Sequence, residues 1–147
     1  MTETTFRPYC PTDIDSCLDI FDANCPKYFA ANERDEYRRF LDDVTTNYEV
    51  CEADGQVLGA FGLLDNGEGG KRLNWILLDP NTQGMGIGSR IMERVIHLSA
   101  AAGATSVDIA ASHMSAPFFT KFGATVVLVT KDGWGEGMDK VDMRLGV

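Results

Sequence analysis

The segment Gln83-Gly84-Met85-Gly86-Ile87-Gly88 constrains this chain more than any other. It follows a run that reads as a strand, Arg72 to Leu78, which Asp79-Pro80 closes because proline has no N–H to give a ladder. It precedes apolar residues at helical spacing, Ile87, Ile91, Val95, Leu98 and Ala102, ending at Gly103. A strand, a glycine-rich turn and a helix in that order aim free backbone N–H groups and the positive end of a helix dipole at one point. Such a point binds anions, diphosphates in particular. The three glycines permit conformations that side chains resist and leave room for a ligand to touch the main chain.

Two phosphate-binding patterns fit this loop poorly. A nucleoside-triphosphate loop needs Lys then Ser or Thr after its last glycine, and here Ser89-Arg90 follows Gly88. A dinucleotide fingerprint needs its third glycine one place later than Gly88, where Ser89 stands. Asp108 lies at the right distance for that fingerprint's ribose-binding acid, but in the middle of its strand.

The remaining pattern supplies a full set of elements. Thr4 to Tyr9 reads as a strand, with Thr12 capping a first helix and Asp15 reaching back to it. Asn32 caps a second helix through Tyr37, Phe40 and Leu41, with Glu33, Asp35 and Glu36 on a solvated face. Tyr48 to Glu52 and Val57 to Leu64 form a hairpin about Asp54-Gly55, and Arg72 to Leu78 is the next strand. After the glycine loop and its helix come strand Ser106 to Ala110, a short helix over 116–122, strand Ala124 to Lys131, a loop over 132–137 and strand Met138 to Leu145.

At 147 residues the chain suits one domain, 1–147, and its apolar runs are far short of a membrane span. Met1 to Pro8 lacks the basic and apolar regions of a secretory signal, so a cytoplasmic protein is expected. A formal net charge of -9 speaks against nucleic-acid binding and favours cationic amines. Cys10, Cys17, Cys25 and Cys51 have neither zinc-ligand nor disulfide-framework spacing, and no metal is expected.

With its placement, Gln83 to Gly88 resembles the Gln/Arg-x-x-Gly-x-Gly/Ala acetyl-CoA motif of the Gcn5-related N-acetyltransferase (GNAT) family. The order of elements and the segment Phe118-Phe119-Thr120-Lys121-Phe122-Gly123-Ala124 resemble the family as well. The resemblance implies an α+β fold, the acyl-CoA N-acyltransferase fold. Its sheet is mixed and mostly antiparallel, with about seven strands and about four helices. It implies that Gln83, Gly84, Met85, Gly86, Ile87, Gly88 and Ser89 hold the phosphates of acetyl-CoA as co-substrate, with Arg90 a further candidate. Ile76, Leu77 and Leu78 would offer main-chain contacts, with a backbone N–H to polarise the thioester carbonyl. The family often has a tyrosine that protonates the leaving thiolate; Phe119 stands there, and Ser112 takes the place of a common asparagine. Leu78 and Ser112 are therefore the catalytic candidates.

Where a general base is often found the sequence has Arg72 and Asn74, which with Tyr28 are the candidate acceptor-site residues. Arg72 would meet an anionic part of the acceptor, and Glu33, Asp35 and Glu36, near the second helix that walls the acceptor site in the family, are candidates to recruit or deprotonate the amine beside their reading as a solvated face. His113 beside Ser112 reads as structural, and Trp75 and Trp134 as packing. The resemblance further implies a primary amine of a small molecule or peptide as partner, and a homodimer. A non-catalytic acyl-CoA-binding module and a nucleotide-binding protein stand as rival readings.

Overall fold

A computed structural model describes residues 3–43, 47–82 and 84–147. Seven strands form one sheet: β1 (Thr5–Pro8), β2 (Tyr48–Ala53), β3 (Gln56–Asp65), β4 (Lys71–Leu78), β5 (Ser106–Ser112), β6 (Thr125–Gly135) and β7 (Met138–Gly146). The helices are α1 (Ile14–Ala23), α2 (Arg34–Asp43), α3 (Ile87–Ala101) and α4 (Ala116–Thr120). The spatial order is β1-β2-β3-β4-β5-β7-β6, and β4 with β5 is the one parallel pair among the described strands. This is the mixed, mostly antiparallel α+β sheet the sequence leads one to expect. No helix among the described residues is long and apolar enough to cross a membrane.

The period-two pattern of the strands divides their side chains between two cores. On one side Leu18, Phe21, Tyr37 and Leu41 of α1 and α2 pack with Val50, Ala60, Leu77 and Trp75. On the other, Ile87, Ile91, Met92 and Val95 of α3 pack with Leu73, Val107, Ile109, Met143 and Phe119 of α4. Burying an aliphatic side chain of this size contributes about 2 kcal/mol, so each helix is held chiefly by its apolar stripe.

Both N-terminal helices begin differently from expectation. A short 3-10 turn precedes each, and a carboxylate at its third residue reaches back over the turn. Asp13 Oδ2 accepts from the Cys10 N–H at 2.8 Å, and Glu33 Oε2 accepts from the Ala30 N–H at 2.8 Å. Asp13 thus does what Asp15 was expected to do. Asn32 is not a cap, and its Nδ2 donates to the Trp134 carbonyl at 3.5 Å. The last hairpin is also longer than its glycines suggest. Asp132, at φ +54°, donates its N–H to Asp139 Oδ1 at 3.0 Å and accepts the Gly137 N–H at 2.9 Å, which carries β6 on to Gly135.

Two features of β4 open the sheet. Its parallel pairing with β5 covers only Lys71 to Leu73 against Val107 to Ile109, and beyond these the strands separate. Against β3, Ala60 faces Leu77 and Gly62 faces Asn74, so Phe61 is opposed by both Trp75 and Ile76. This bulge puts Trp75 at φ +46°, an expensive conformation for a bulky residue. Buried hydroxyls hold it: Tyr48 OH donates to the Trp75 carbonyl at 2.8 Å, so Tyr37 OH donates in turn to Tyr48, also at 2.8 Å.

Candidate active site

Where β4 parts from β5 the protein has a cleft of about 710 Å³, running from the N-terminus of α3 to the connection between α1 and α2. Gly84, Gly86, Ile87, Gly88 and Ser89 line one end. Gly84 and Gly86 have φ of +86° and +75°, which a side chain would oppose. Gly88 is needed for another reason: a Cβ there would lie 2.7 Å from Phe118 of α4. Among the described residues no side chain caps α3 and its first turn holds no carboxylate, which leaves the amides of Ile87, Gly88 and Ser89 and the positive helix end available to an anion. Met85 is not part of the lining, and its side chain is mostly exposed. Gln83 lies outside the described residues. Arg90 turns away and donates to the Thr4 carbonyl at 3.4 Å.

The middle of the cleft is backbone. The Asp79 N–H donates to the Leu58 carbonyl at 2.8 Å. By the alternation of an antiparallel ladder, the neighbouring pair, Leu78 with Gly59, points its backbone groups away from β3 and into the gap. There the Leu78 carbonyl accepts from Asn24 Nδ2 at 2.8 Å, and its N–H faces the opening. Ile76, Leu77, Ser112 and Phe119 also line the cleft. Ser112 is committed to its own turn: its Oγ accepts the Ser115 N–H at 3.1 Å and shares a hydrogen bond with Ser115 Oγ at 3.1 Å. Phe119 is buried in the core and offers no proton.

The far end is lined by Tyr28, Phe29, Glu33, Glu36, Arg72, Asn74, Trp75 and Trp134. Tyr28, Arg72 and Asn74 are therefore brought together there. Trp134 is fixed by donating Nε1 to the Ala111 carbonyl at 2.9 Å. Arg72 lies opposite Asp108 in the parallel register. Burial pushes the Asp108 carboxyl up, but hydrogen bonds from Arg144 and Asn66, with the charges of Arg144 and Arg72, hold it below its ordinary value. Asp108 is thus an ion-pair partner within the sheet. His113 lies outside the cleft lining, and its Nδ1 accepts the Asp139 N–H at 3.1 Å.

Of two further cleft residues, Glu33 is a candidate from sequence to recruit or deprotonate an amine, and Asn24 was not singled out. Glu33, expected on a solvated face, is 6% exposed, and burial pushes its carboxyl above the ordinary range. The Ala30 N–H opposes this shift in part, and the charge of Glu36 adds to it. Its position three residues after the start of a turn was the available signal. Asn24 is 7% exposed, and nothing in its spacing marks it.

The chain belongs to the GNAT family: the family model for the acetyltransferase (GNAT) domain matches residues 17–147. No curated protein matches its sequence. Among solved structures it is similar to a GNAT-family protein from Desulfovibrio desulfuricans, at 23% identity and TM-score 0.78, covering 98% of this chain and 99% of that one. Ard1 from Thermoplasma volcanium is similar at 18% identity and TM-score 0.82, covering 98% and 97%. The protein yncA from Salmonella typhimurium, solved with its cofactor acetyl-CoA, is similar at 16% identity and TM-score 0.72, covering 98% and 94%. At these identities the structures establish the fold they share.

Proposed function

We propose that this chain is an N-acetyltransferase that moves the acetyl group of acetyl-CoA directly to a primary amine of a small molecule or peptide. The observation that carries this reading is the continuity of one cleft from the free amides of α3, past the inward-facing Leu78 N–H, to a buried carboxylate. Acetyl-CoA supplies the activated acyl group. The amides of Gly84 and Gly86 to Ser89 would hold its diphosphate, the backbone of Ile76 to Leu78 its pantetheine arm, and Ser112 and Phe119 the opposite wall. The Leu78 N–H would stabilise negative charge on the carbonyl oxygen during attack, an effect worth about 3 kcal/mol in comparable sites. Acetyl-CoA is available in the cytoplasm, which supports a cytoplasmic single-domain enzyme. The apolar outer strand β6 suits association with a second copy.

A second reading, an acyl-CoA-binding module without turnover, is favoured by Phe119 and by the engagement of the Ser112 hydroxyl with Ser115. Calorimetry of acetyl-CoA binding beside an assay of free CoA thiol over a panel of amines separates the two. Transfer predicts thiol release that depends on the amine, while binding with no release from any amine supports the module.

A further inference from the structure

The acceptor end of the cleft holds two polar side chains more than nine-tenths buried, and each has half of its head group tied to the backbone. Asn24 Nδ2 donates to the carbonyls of Ile20 and Leu78, both at 2.8 Å. Only an NH2 group can serve two carbonyls, so these partners fix the amide's orientation and turn Oδ1 away from both. Glu33 Oε2 accepts from the Ala30 N–H. Asn24 Oδ1 and Glu33 Oε1 accept no hydrogen bond among the described residues. Neither is sealed: the buried side-chain atoms without a partner there are Tyr9 OH and Ser99 Oγ. Both residues line the cleft together with Glu36 and Arg72, and Arg72 lies opposite Asp108 in the parallel register. The local chemistry is two oxygens without donors among the described residues, one of them a carboxylate oxygen, at the end of the cleft that Phe29 and Trp75 also line.

We propose that Asn24 and Glu33 form the seat of the acceptor's ammonium group, and that they select primary amines with no carboxylate on the amine-bearing carbon. This rests on the acetyl-transfer reading. Two acceptor oxygens match two N–H groups of R–NH3+, and a carboxylate beside the nitrogen would be forced against Glu33 and Glu36. Glu33 takes one proton from R–NH3+. The freed lone pair attacks the thioester carbon, the C–N bond forms and the C–S bond breaks. The thiolate leaves as CoA thiol with the second nitrogen proton, and Glu33 returns its proton to water.

The test uses the full chain with acetyl-CoA and paired acceptors: 2-phenylethylamine against phenylalanine, histamine against histidine, agmatine against arginine. The seat predicts kcat/KM at least tenfold lower for each carboxylate-bearing partner. Glu33→Gln keeps the turn's acceptor oxygen; it should lower kcat about 100-fold and remove the acidic limb of the pH profile, with acetyl-CoA affinity within twofold of wild type. Equal turnover within the pairs, or an unchanged pH profile in Glu33→Gln, overturns the seat alone. Acetyl-CoA binding with no turnover of any amine overturns the transfer reading and the seat with it. Should Glu33→Gln fail to fold, the paired comparison on the wild-type protein still decides.

Discussion

Asp13 shows how one side chain sets the pH range of the fold. Its carboxylate is paired with Arg7 through two contacts of 2.8 Å and also accepts the Cys10 N–H. The hydrogen bond from Arg7 leads in holding its carboxyl below the ordinary 3.8, against the upward push of burial. A group whose value is lowered by folding contributes stability above its unfolded value and loses it as pH falls through the folded one. Urea unfolding should therefore show stability falling below about pH 4. Asp13→Asn should cost about 2 kcal/mol at pH 7 and make that acidic decline shallower. Glu33 occupies the equivalent place in the second turn with the opposite shift, because burial leads and no cation among the described residues pairs with it. That contrast was not legible in the sequence. Both residues read as polar positions at a helix start, and whether a carboxylate there is paired, buried or solvated depends on distant chain packed over it. The glycine loop was legible because its chemistry is local: Gly84 and Gly86 need their positive φ whatever lies around them.

The splay between β4 and β5 belongs to the scale of the element. Every strand was expected near its observed place, although β6 runs on through residues expected as a loop, and the parallel pairing of β4 with β5 was not specified. The bulge was not legible, since Asn74-Trp75-Ile76 continues the strand pattern and only the register with β3 shows two residues against Phe61. What sustains Trp75 in its strained backbone is the hydroxyl relay from Tyr37 through Tyr48. Tyr48→Phe removes the donor to the Trp75 carbonyl and the acceptor for Tyr37, leaving the carbonyl unpaired and Tyr37 with Cys17 as its remaining partner. The expected loss is about 2 kcal/mol in denaturant unfolding. The amides of Ile76 to Leu78 lose their placement at the same time, and kcat/KM for acetyl-CoA should drop about tenfold in the thiol assay. A variant as active and as stable as wild type would show that the bulge stands without the relay.

At the scale of the molecule, the sheet ends differently at its two edges. β1 is short, whereas β6 is long and its residues Val126 to Val129 are each more than half exposed. An apolar edge of this kind is a template for pairing with another chain. If two copies associate through it, Val127→Lys should convert a dimer to a monomer in sedimentation while leaving acetyl-CoA affinity unchanged. A wild-type protein that sediments as a monomer at every concentration contradicts the pairing. The interior of the molecule divides as cleanly as its edges. Ile87 beside the glycine loop is anchored in the core under α3 and α4, and Phe29 and Trp75 of the acceptor end in the core under α1 and α2, with the sheet between them. Donor and acceptor recognition can therefore drift at separate rates. If the chain transfers acetyl groups as proposed, grafting the 11–43 segment from another chain of this fold, with Asn24 kept for its bond to the Leu78 carbonyl, should change the acceptor and leave acetyl-CoA affinity within about twofold.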